Sequence, residues 1–307
     1  MHDHRTGPPA RSPSQGTLEQ LLLNTPTSKP PASGHPARFH PLMLPHPHPS
    51  ANQSRLAGVR HCVLLNRLAW GAGDKIAVLV HGMLGSARQF HELGPALAGR
   101  GYRAIGVDLP GHGRSPATAD PTIESYAESV AETVRAELDT RAAPGPVVEL
   151  AIGHSLGAIV LAAALPLLRP ARAVYVDVPF SPADTGAGAD ELLARFSGAK
   201  AGRTVEQLRV SKPAWSEEDR RVEAEAARQF DPATAVALQL RYDRNPLPGP
   251  PSTSIPSVLI RAEPSRFVSP ERAGELKGLG FRVRSVVAAG HCVWYGRVDE
   301  FLGAVLD

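Results

Sequence analysis

The sequence of 307 residues predicts an α/β fold with a mostly parallel central sheet and helices on both of its faces. From about residue 59 onward, short apolar runs of strand length alternate with helical patterns. A G-x-S-x-G pentapeptide, residues 153–157, stands between one such run and an alanine-rich helical run. Between residues 179 and 256 the alternation stops, and only helical patterns separated by Pro and Gly remain. The first two observations predict the sheet, and the third predicts a helical insertion.

Residues 1–55 differ from the rest of the chain because Pro, His, Ser and Thr dominate them. Such a segment has few side chains to bury and many prolines that break hydrogen-bond ladders, so we expect a disordered extension. Histidines alternate with prolines over residues 45–49, and we interpret this stretch as solvated rather than as a metal site. Met43 lies near the boundary, so whether residues 1–55 are translated stays open.

The remainder of the chain divides into a core, residues 56–178 and 257–307, and an insertion, residues 179–256, placed after the sixth predicted strand. In the first part of the core we predict strands and helices in this order: strands over 60–65 and 67–70, a strand over 76–80, a helix over 87–100, a strand over 103–107, a helix over 122–138, a strand over 147–152, a helix over 158–168 and a strand over 173–178. The insertion contains four helical patterns, over 190–196, 204–210, 217–230 and 233–242. The last part has a strand over 257–261, a helix over 270–279, a strand over 281–287 and a helix over 295–306. Repeated strand–helix units of this kind build a parallel sheet.

Composition excludes several classes of function. The formal net charge is +3 and the arginines are scattered, so the basic stripe of a nucleic-acid-binding protein is missing. Apolar runs are too short for a membrane span, and the N-terminus has no signal-peptide pattern, so we expect a cytoplasmic protein. Cys62 and Cys292 form no metal-ligand spacing and are interpreted as free thiols. The expected partner is a small-molecule substrate, and the oligomeric state stays open.

Four short motifs occur in a characteristic order: His-Gly-Met-Leu-Gly-Ser at 81–86, Asp-Leu-Pro-Gly-His-Gly-Arg-Ser at 108–115, Gly-His-Ser-Leu-Gly at 153–157 and Ala-Gly-His at 289–291. With these motifs the chain resembles the serine-nucleophile enzymes of the α/β-hydrolase fold superfamily over residues 60–307. The resemblance implies the α/β-hydrolase fold with a helical cap formed by the insertion. The motifs are specific for the fold and carry no information about the substrate.

Ser155 is the predicted nucleophile, since a serine between a strand and a helix, flanked by glycines, is lifted out of the sheet at a sharp turn. The resemblance implies that His291 is the general base. It also implies that the backbone N–H groups of Met83 and Leu156 form the oxyanion hole. We expect His81, His112 and His154 to have structural roles.

The sequence offers more than one candidate for the acid of the triad. The resemblance leads us to expect a carboxylate on the loop after the strand over 257–261, but Ser265 and Arg266 occupy the usual positions. Asp177, at the end of the strand that follows the nucleophile helix, is the first candidate, and Glu263 is the second. A Ser–His dyad without an acid is the third possibility.

The sequence therefore predicts a serine hydrolase that cleaves an ester, or an amide or lactone, of a small and fairly apolar molecule, with no cofactor and no metal. The alternative is a ligand-binding or sensing protein on a degraded hydrolase scaffold, which the displaced acid would explain. Four aromatic residues of the insertion are candidates for the cavity lining: Phe196, Trp215, Phe230 and Tyr242. Two arginines near the acid loop, Arg261 and Arg266, are interpreted as solvated surface groups rather than as an anion site.

Overall fold

A computed structural model describes residues 62–139, 148–181, 186–247 and 249–306. The described residues contain one sheet of seven strands: β1 Arg67–Trp70, β2 Lys75–Val80, β3 Tyr102–Val107, β4 Val148–His154, β5 Arg172–Val176, β6 Ser257–Glu263 and β7 Arg282–Val287. The predicted disordered extension, residues 1–55, lies outside the described residues.

The strand order across the sheet is β1-β3-β2-β4-β5-β6-β7. The edge strand β1 is antiparallel to β3, and every other neighbouring pair is parallel. The carboxyl ends of the six parallel strands therefore meet along one edge of the sheet, which is where sheets of this type bind ligands. The strands β2 to β6 are buried over most of their length, as the continuous apolar runs predict.

Nine α-helices occur in the described residues. They are α1 Leu93–Ala98, α2 Ile123–Asp139, α3 Leu156–Leu168, α4 Ala189–Ala201, α5 Val205–Ser211, α6 Glu217–Gln229, α7 Pro232–Arg244, α8 Pro270–Gly278 and α9 Val298–Leu306. One apolar cluster joins α2, α3 and α8 to one face of the sheet, and a second cluster joins α1 and α9 to the other face. The predicted α/β fold with helices on both faces is thus confirmed. In the described part of the chain, every helix is too short or too polar to cross a lipid bilayer.

Helices α4 to α7 lie between β5 and β6 in the chain and correspond to the predicted insertion. A third apolar cluster, which includes Phe196 and Phe230, packs α4, α6 and α7 together and against Leu84 of the core. Three of the four helices begin at residues whose side-chain oxygens accept hydrogen bonds from the first helical N–H groups, namely Thr204, Ser216 and Asp231. Among the described strands the insertion follows the fifth, not the sixth.

The difference in strand number arises at the start of the core. Residues 62–66 form no strand, so over these residues the prediction of a strand at 60–65, paired in a hairpin with 67–70, is wrong. The N–H of Val63 donates to Ser129 Oγ at 3.1 Å and that of Leu65 donates to Thr133 Oγ1 at 2.9 Å. Side chains of α2 therefore satisfy this backbone, which removes the need for a second strand.

The predicted helix over 87–100 is also interrupted. A 3-10 turn, Ala87–Phe90, precedes the short helix α1. The N–H of Ala87 donates to Asp108 Oδ1 at 2.6 Å, and the carbonyl of Gln89 accepts from Trp294 Nε1 at 3.0 Å. These long-range bonds hold the segment in a conformation that the local pattern does not reveal.

Candidate active site

Ser155 occupies the turn between β4 and α3, at the carboxyl edge of the sheet. Its backbone has φ 53° and ψ −119°, a strained conformation for a residue with a side chain. A bond from its N–H to the carbonyl of Val176, 3.0 Å long, holds the turn. A Cβ on Gly157 would lie 2.3 Å from the carbonyl oxygen of Val80, so the helix can approach the neighbouring strand this closely only with glycine.

The loop after β2 faces this turn. His81 is fully buried; its Nδ1 lies 2.7 Å from the carbonyl oxygen of Gly82, and its Nε2 accepts from the N–H of Leu109 at 3.0 Å. Burial lowers the pKa of His81, and both ring nitrogens are used to order the backbone. Met83 follows in this loop, while Leu156 is the first residue of α3, where an N–H has no acceptor within the helix. Both residues line cavities beside Ser155.

The imidazole of His291 lies at a hydrogen-bond distance from one carboxylate. Its Nδ1 is 2.8 Å from Asp177 Oδ2, and the side chain of Asp177 is almost fully buried. Asp177 comes immediately after β5, with φ 50°, and its N–H donates to the carbonyl of Ile260 at 2.7 Å. Glu263, the second candidate, ends β6 with an exposed side chain. The structure therefore brings His291 to the first candidate.

Ser265 supports the same carboxylate. Its hydroxyl donates to Asp177 Oδ1 at 2.6 Å, while its oxygen accepts from the N–H groups of Phe267 and Val268 at 3.0 and 2.9 Å. The N–H of Ala262 donates to the same carboxylate oxygen at 3.2 Å. The end of β6 and the loop after it thus supply two donors to the carboxylate of Asp177 on the neighbouring strand.

Two rings hold the imidazole of His291 in place. The ring centroid of Phe267 lies 4.2 Å from that of His291, and the ring centroid of His154 lies 4.4 Å away. The Nε2 of His154 is 3.1 Å from the carbonyl oxygen of His291. Burial lowers the pKa of His154 well below its ordinary value, and the neighbouring His291 lowers it further. His154 is therefore an uncharged packing partner at neutral pH.

The motif at residues 108–115, which contains His112, forms a loop whose first residues are buried. Asp108 accepts from the N–H of Ala87 with Oδ1, and from Asn66 Nδ2 and the N–H of Arg114 with Oδ2, at 2.6, 2.7 and 2.9 Å. The Nδ1 of His112 lies 3.0 Å from the carbonyl oxygen of Pro110, and burial lowers the pKa of His112 to about 3. These contacts maintain the geometry of the loop.

Ser155 and His291 line the same pocket, whose empty space is about 640 Å³ including its mouth. The remaining lining residues come from the core loops and from the insertion: Met83, Leu84, Gln89, His154, Ala199, Gly202, Arg203, Leu208, Ser211, Lys212 and Cys292. None of the four aromatic candidates lines this pocket in the described part of the chain. Phe196 and Phe230 are buried in the cluster of the insertion, while Trp215 and Tyr242 line other depressions.

Three functional-site neighbours escaped the sequence analysis: Arg203 and Lys212 in the pocket wall, and Glu223 behind it. For Glu223 a signal exists in the sequence, because it lies on the buried face of α6 together with Asp219, Val222, Ala226 and Ala227. A carboxylate at the spacing of an apolar face indicates a buried charge with a partner. Lys212 directly follows α5 and Arg203 is the second residue after α4, and no local pattern marks either of them.

The only side chains of the described residues that are grouped like metal ligands are His91, Glu92 and Asp219, whose ligand atoms lie within 4.8 Å of one another. They lie between the 3-10 turn and α6. One oxygen of Asp219 accepts from the N–H of Ser216 at 2.8 Å and so caps α6, and the other lies 3.4 Å from His91 Nε2.

The thiol of Cys292 is buried beside Glu223, and burial raises the pKa of Cys292 well above its ordinary value.

Many solved structures share the fold of this chain. An esterase from Exiguobacterium antarcticum is similar at 18% identity and a TM-score of 0.60, over 79% of this chain and 94% of that one. An E-2-(acetamidomethylene)succinate hydrolase is similar at 23% identity and a TM-score of 0.58, over 78% of this chain and 93% of that one. A thioesterase domain from the curacin biosynthetic pathway is similar at 19% identity and a TM-score of 0.55, over 78% of this chain and 94% of that one.

These likenesses concern the fold, and no curated protein sequence matches the chain significantly. The sequence itself matches a model of the alpha/beta hydrolase family over residues 77–304, which include most of β2, the strands β3 to β7, the insertion and all four motifs. The chain belongs to the alpha/beta hydrolase family, and it is a hydrolase.

Proposed function

We propose that the protein is a serine hydrolase that cleaves an ester of a small molecule through an acyl-enzyme. One observation carries the proposal: His291, which shares a pocket with Ser155, has its Nδ1 2.8 Å from the buried carboxylate of Asp177. An imidazole held in this way presents Nε2 to the serine as a base, and the carboxylate stabilises the imidazolium that forms. An orienting carboxylate favours this proposal over the alternative of a degraded, ligand-binding scaffold.

In the proposed reaction, Ser155 Oγ attacks the carbonyl carbon of the ester while its proton moves to His291 Nε2. The carbonyl oxygen becomes an oxyanion, which the N–H groups of Met83 and Leu156 stabilise. The bond from carbon to the alcohol oxygen then breaks, and His291 returns the proton to the leaving alcohol. A water molecule then attacks the acyl carbon while His291 takes its proton. The bond from this carbon to Ser155 Oγ breaks, His291 returns the proton to the serine oxygen, and the acid is released.

The apolar part of the substrate has two candidate contact surfaces. Met83, Leu84 and Leu208 form part of the pocket wall around Ser155. On the other side of Met83 and Leu156 lies a small depression, lined by Ile123, Ile159, Leu238, Gln239 and Tyr242. We infer that helices α4 to α7 act as a cap that closes the pocket and determines which acyl and alcohol groups enter it.

The test compares the wild type with Ser155→Ala and Cys292→Ala. Wild type and Cys292→Ala should hydrolyse p-nitrophenyl acyl esters and should react with a fluorophosphonate probe, whereas Ser155→Ala should do neither. Cys292 is the matched control because its buried thiol is the other nucleophile in the pocket wall. Undiminished hydrolysis or labelling in Ser155→Ala would refute the assignment. An unlabelled wild type would favour the ligand-binding alternative.

A further inference from the structure

The proposed general base lies on a loop, residues 288–297, that contains turns but no helix or strand. Two side chains of this loop anchor it to neighbouring elements. Nε1 of Trp294 donates to the carbonyl of Gln89 at 3.0 Å, and the hydroxyl of Tyr295 donates to Oε1 of Glu223 at 2.8 Å. Gln89 belongs to the core, whereas Glu223 lies on α6 of the insertion. The insertion is therefore bound directly to the loop of the base.

Glu223 is completely buried and is held from both sides. Its Oε2 lies 3.4 Å from Nη1 of Arg203, and its Oε1 accepts from Gln89 Nε2 at 2.6 Å as well as from the hydroxyl of Tyr295. The thiol of Cys292, a weak donor, lies 3.7 Å from the same oxygen. Moving this carboxylate would leave a buried charge without its partners, which is costly. Glu223 is thus a fixed point for the loop.

A stack of rings connects the anchored side chains with the imidazole of His291. The rings of Trp294 and Tyr295 are 5.7 Å apart, and the edge of Trp294 meets the ring of His154 at 5.1 Å between centroids. His154 in turn packs on His291 at 4.4 Å. Burial and the charge of Glu223 raise the pKa of Tyr295 well above its ordinary value, so its hydroxyl stays a donor. Because closely packed side chains transmit displacements, a shift of Tyr295 would reach the imidazole.

We propose that Glu223 is a positioning residue for the proposed hydrolysis and that, through the hydroxyl of Tyr295, it holds the loop of His291 in its reactive position. The imidazole must meet Ser155 on one side and Asp177 on the other, and proton transfer requires hydrogen-bond geometry. A misplacement of about 1 Å can cost a factor of about 10² in rate. The inference rests on the proposed function and gives the insertion a second role besides closing the pocket.

Turnover per reactive site separates positioning from a purely structural role. Full-length wild type, Glu223→Gln and Tyr295→Phe are labelled to completion with a fluorophosphonate probe, which counts the reactive Ser155 side chains. The kcat on a p-nitrophenyl ester is then expressed per labelled site. In both variants it should fall by about 10- to 100-fold while KM changes by less than about twofold, because the base is misplaced and the pocket is unaltered. Fewer reactive sites with an unchanged kcat would indicate a purely structural role and overturn the proposal.

The two substitutions break the same contact by different means. The groups around the carboxylate are donors, so the new amide nitrogen of Glu223→Gln would face the guanidinium of Arg203 or the amide of Gln89. Tyr295→Phe removes one hydroxyl and leaves the ion pair intact, so it decides the question if Glu223→Gln does not fold. Because both variants break one contact, their effects on kcat should not add in the double variant. Additive effects would overturn the link between the two residues.

Val222→Ala is the matched control. Val222 precedes Glu223 on α6, is fully buried and has no hydrogen-bonding side chain. Its truncation should lower the temperature of thermal unfolding, since it removes buried methyl groups. The kcat per labelled site should stay within about twofold of the wild-type value, as for a change away from the site. An equal fall of this kcat in Val222→Ala and Tyr295→Phe would overturn the positioning role.

Hydrogen exchange separates this inference from the proposed function, because it requires no catalysis. Backbone amides of residues 288–297 should exchange about tenfold or more faster in Glu223→Gln and Tyr295→Phe, the value of one hydrogen bond to a charged group, and at the wild-type rate in Val222→Ala. Unchanged exchange in a protein whose Ser155 is labelled would overturn the positioning role alone. Faster exchange in both variants of a protein whose wild type is not labelled would overturn the proposed function alone.

Discussion

The hydroxyl of Ser265 donates a hydrogen bond of 2.6 Å to Oδ1 of Asp177, across two neighbouring parallel strands. Ser265 occupies the position where the resemblance led us to expect the acid. Because two backbone N–H groups already donate to its oxygen, its single proton is directed to the carboxylate. The loop after β6 therefore orients the carboxylate of Asp177, which lies at the end of β5 and which we propose as the acid.

This arrangement predicts that Asp177→Asn abolishes most of the activity. The amide cannot stabilise an imidazolium and favours the wrong tautomer of His291, so kcat on a p-nitrophenyl ester should fall by about 10³- to 10⁴-fold. Glu263→Gln is the matched control: its exposed side chain should leave kcat within about twofold, as for most surface substitutions. A large loss in Glu263→Gln with a small one in Asp177→Asn would reverse the assignment of the acid.

Alanine substitutions of Gly157, in the turn of Ser155, and of Gly198, in α4, should have opposite effects on the free energy of unfolding. In Gly157→Ala the new Cβ would lie 2.3 Å from the carbonyl oxygen of Val80 and 2.4 Å from that of His81, both backbone atoms that cannot move freely. The free energy of unfolding should fall by about 1–3 kcal/mol and labelling of Ser155 should decrease. Gly198, in the middle of α4, has open space at the same position, so Gly198→Ala should raise stability by up to about 1 kcal/mol.

Urea unfolding of both variants, with fluorophosphonate labelling, measures these changes. Equal effects of Gly157→Ala and Gly198→Ala would contradict the close approach of α3 to β2.

The buried histidines predict a loss of stability in acid. Burial lowers the pKa of His81, His112 and His154 in the folded protein, that of His112 to about 3. In the unfolded chain a histidine takes up a proton near pH 6.5, so between pH 6.5 and about 3 the unfolded state binds more protons than the folded state. The free energy of unfolding should therefore decrease as the pH falls through this range.

The variant His112→Asn tests how much one of these histidines contributes to the loss of stability in acid. Asn cannot be protonated, and its amide can replace Nδ1 as the donor to the carbonyl of Pro110. The dependence of the unfolding free energy on pH, measured with urea between pH 7 and 5, should become less steep by at most about 1.4 kcal/mol per pH unit. Parallel curves for wild type and variant would show that the pKa of His112 is the same in the folded and unfolded states.

The sheet, the turn of Ser155 and the starts of several helices could be predicted from local patterns in the sequence. The strand–helix alternation predicts the sheet because burial on both faces requires continuous apolar strands. The pentapeptide around Ser155 predicts its turn because only small residues allow a strand and a helix to meet so closely. Capping residues of the insertion, such as Ser216 and Asp231, likewise predict where its helices begin.

Tertiary structure decided which distant residues meet. Two carboxylates, Asp177 and Glu263, were candidates for the acid, and only the register of β5 against β6 and the loop of His291 bring Asp177 to the imidazole, across 114 residues of sequence. The same holds for Arg203 and Lys212. They follow the ends of two helices, no sequence pattern marks them as pocket residues, and only the folded structure brings both into the pocket wall. Motifs are local in the chain, whereas hydrogen bonds and charge compensation depend on distances in space. The sequence by itself therefore determined the scaffold and the nucleophile turn, and the folded structure decided the environment around them.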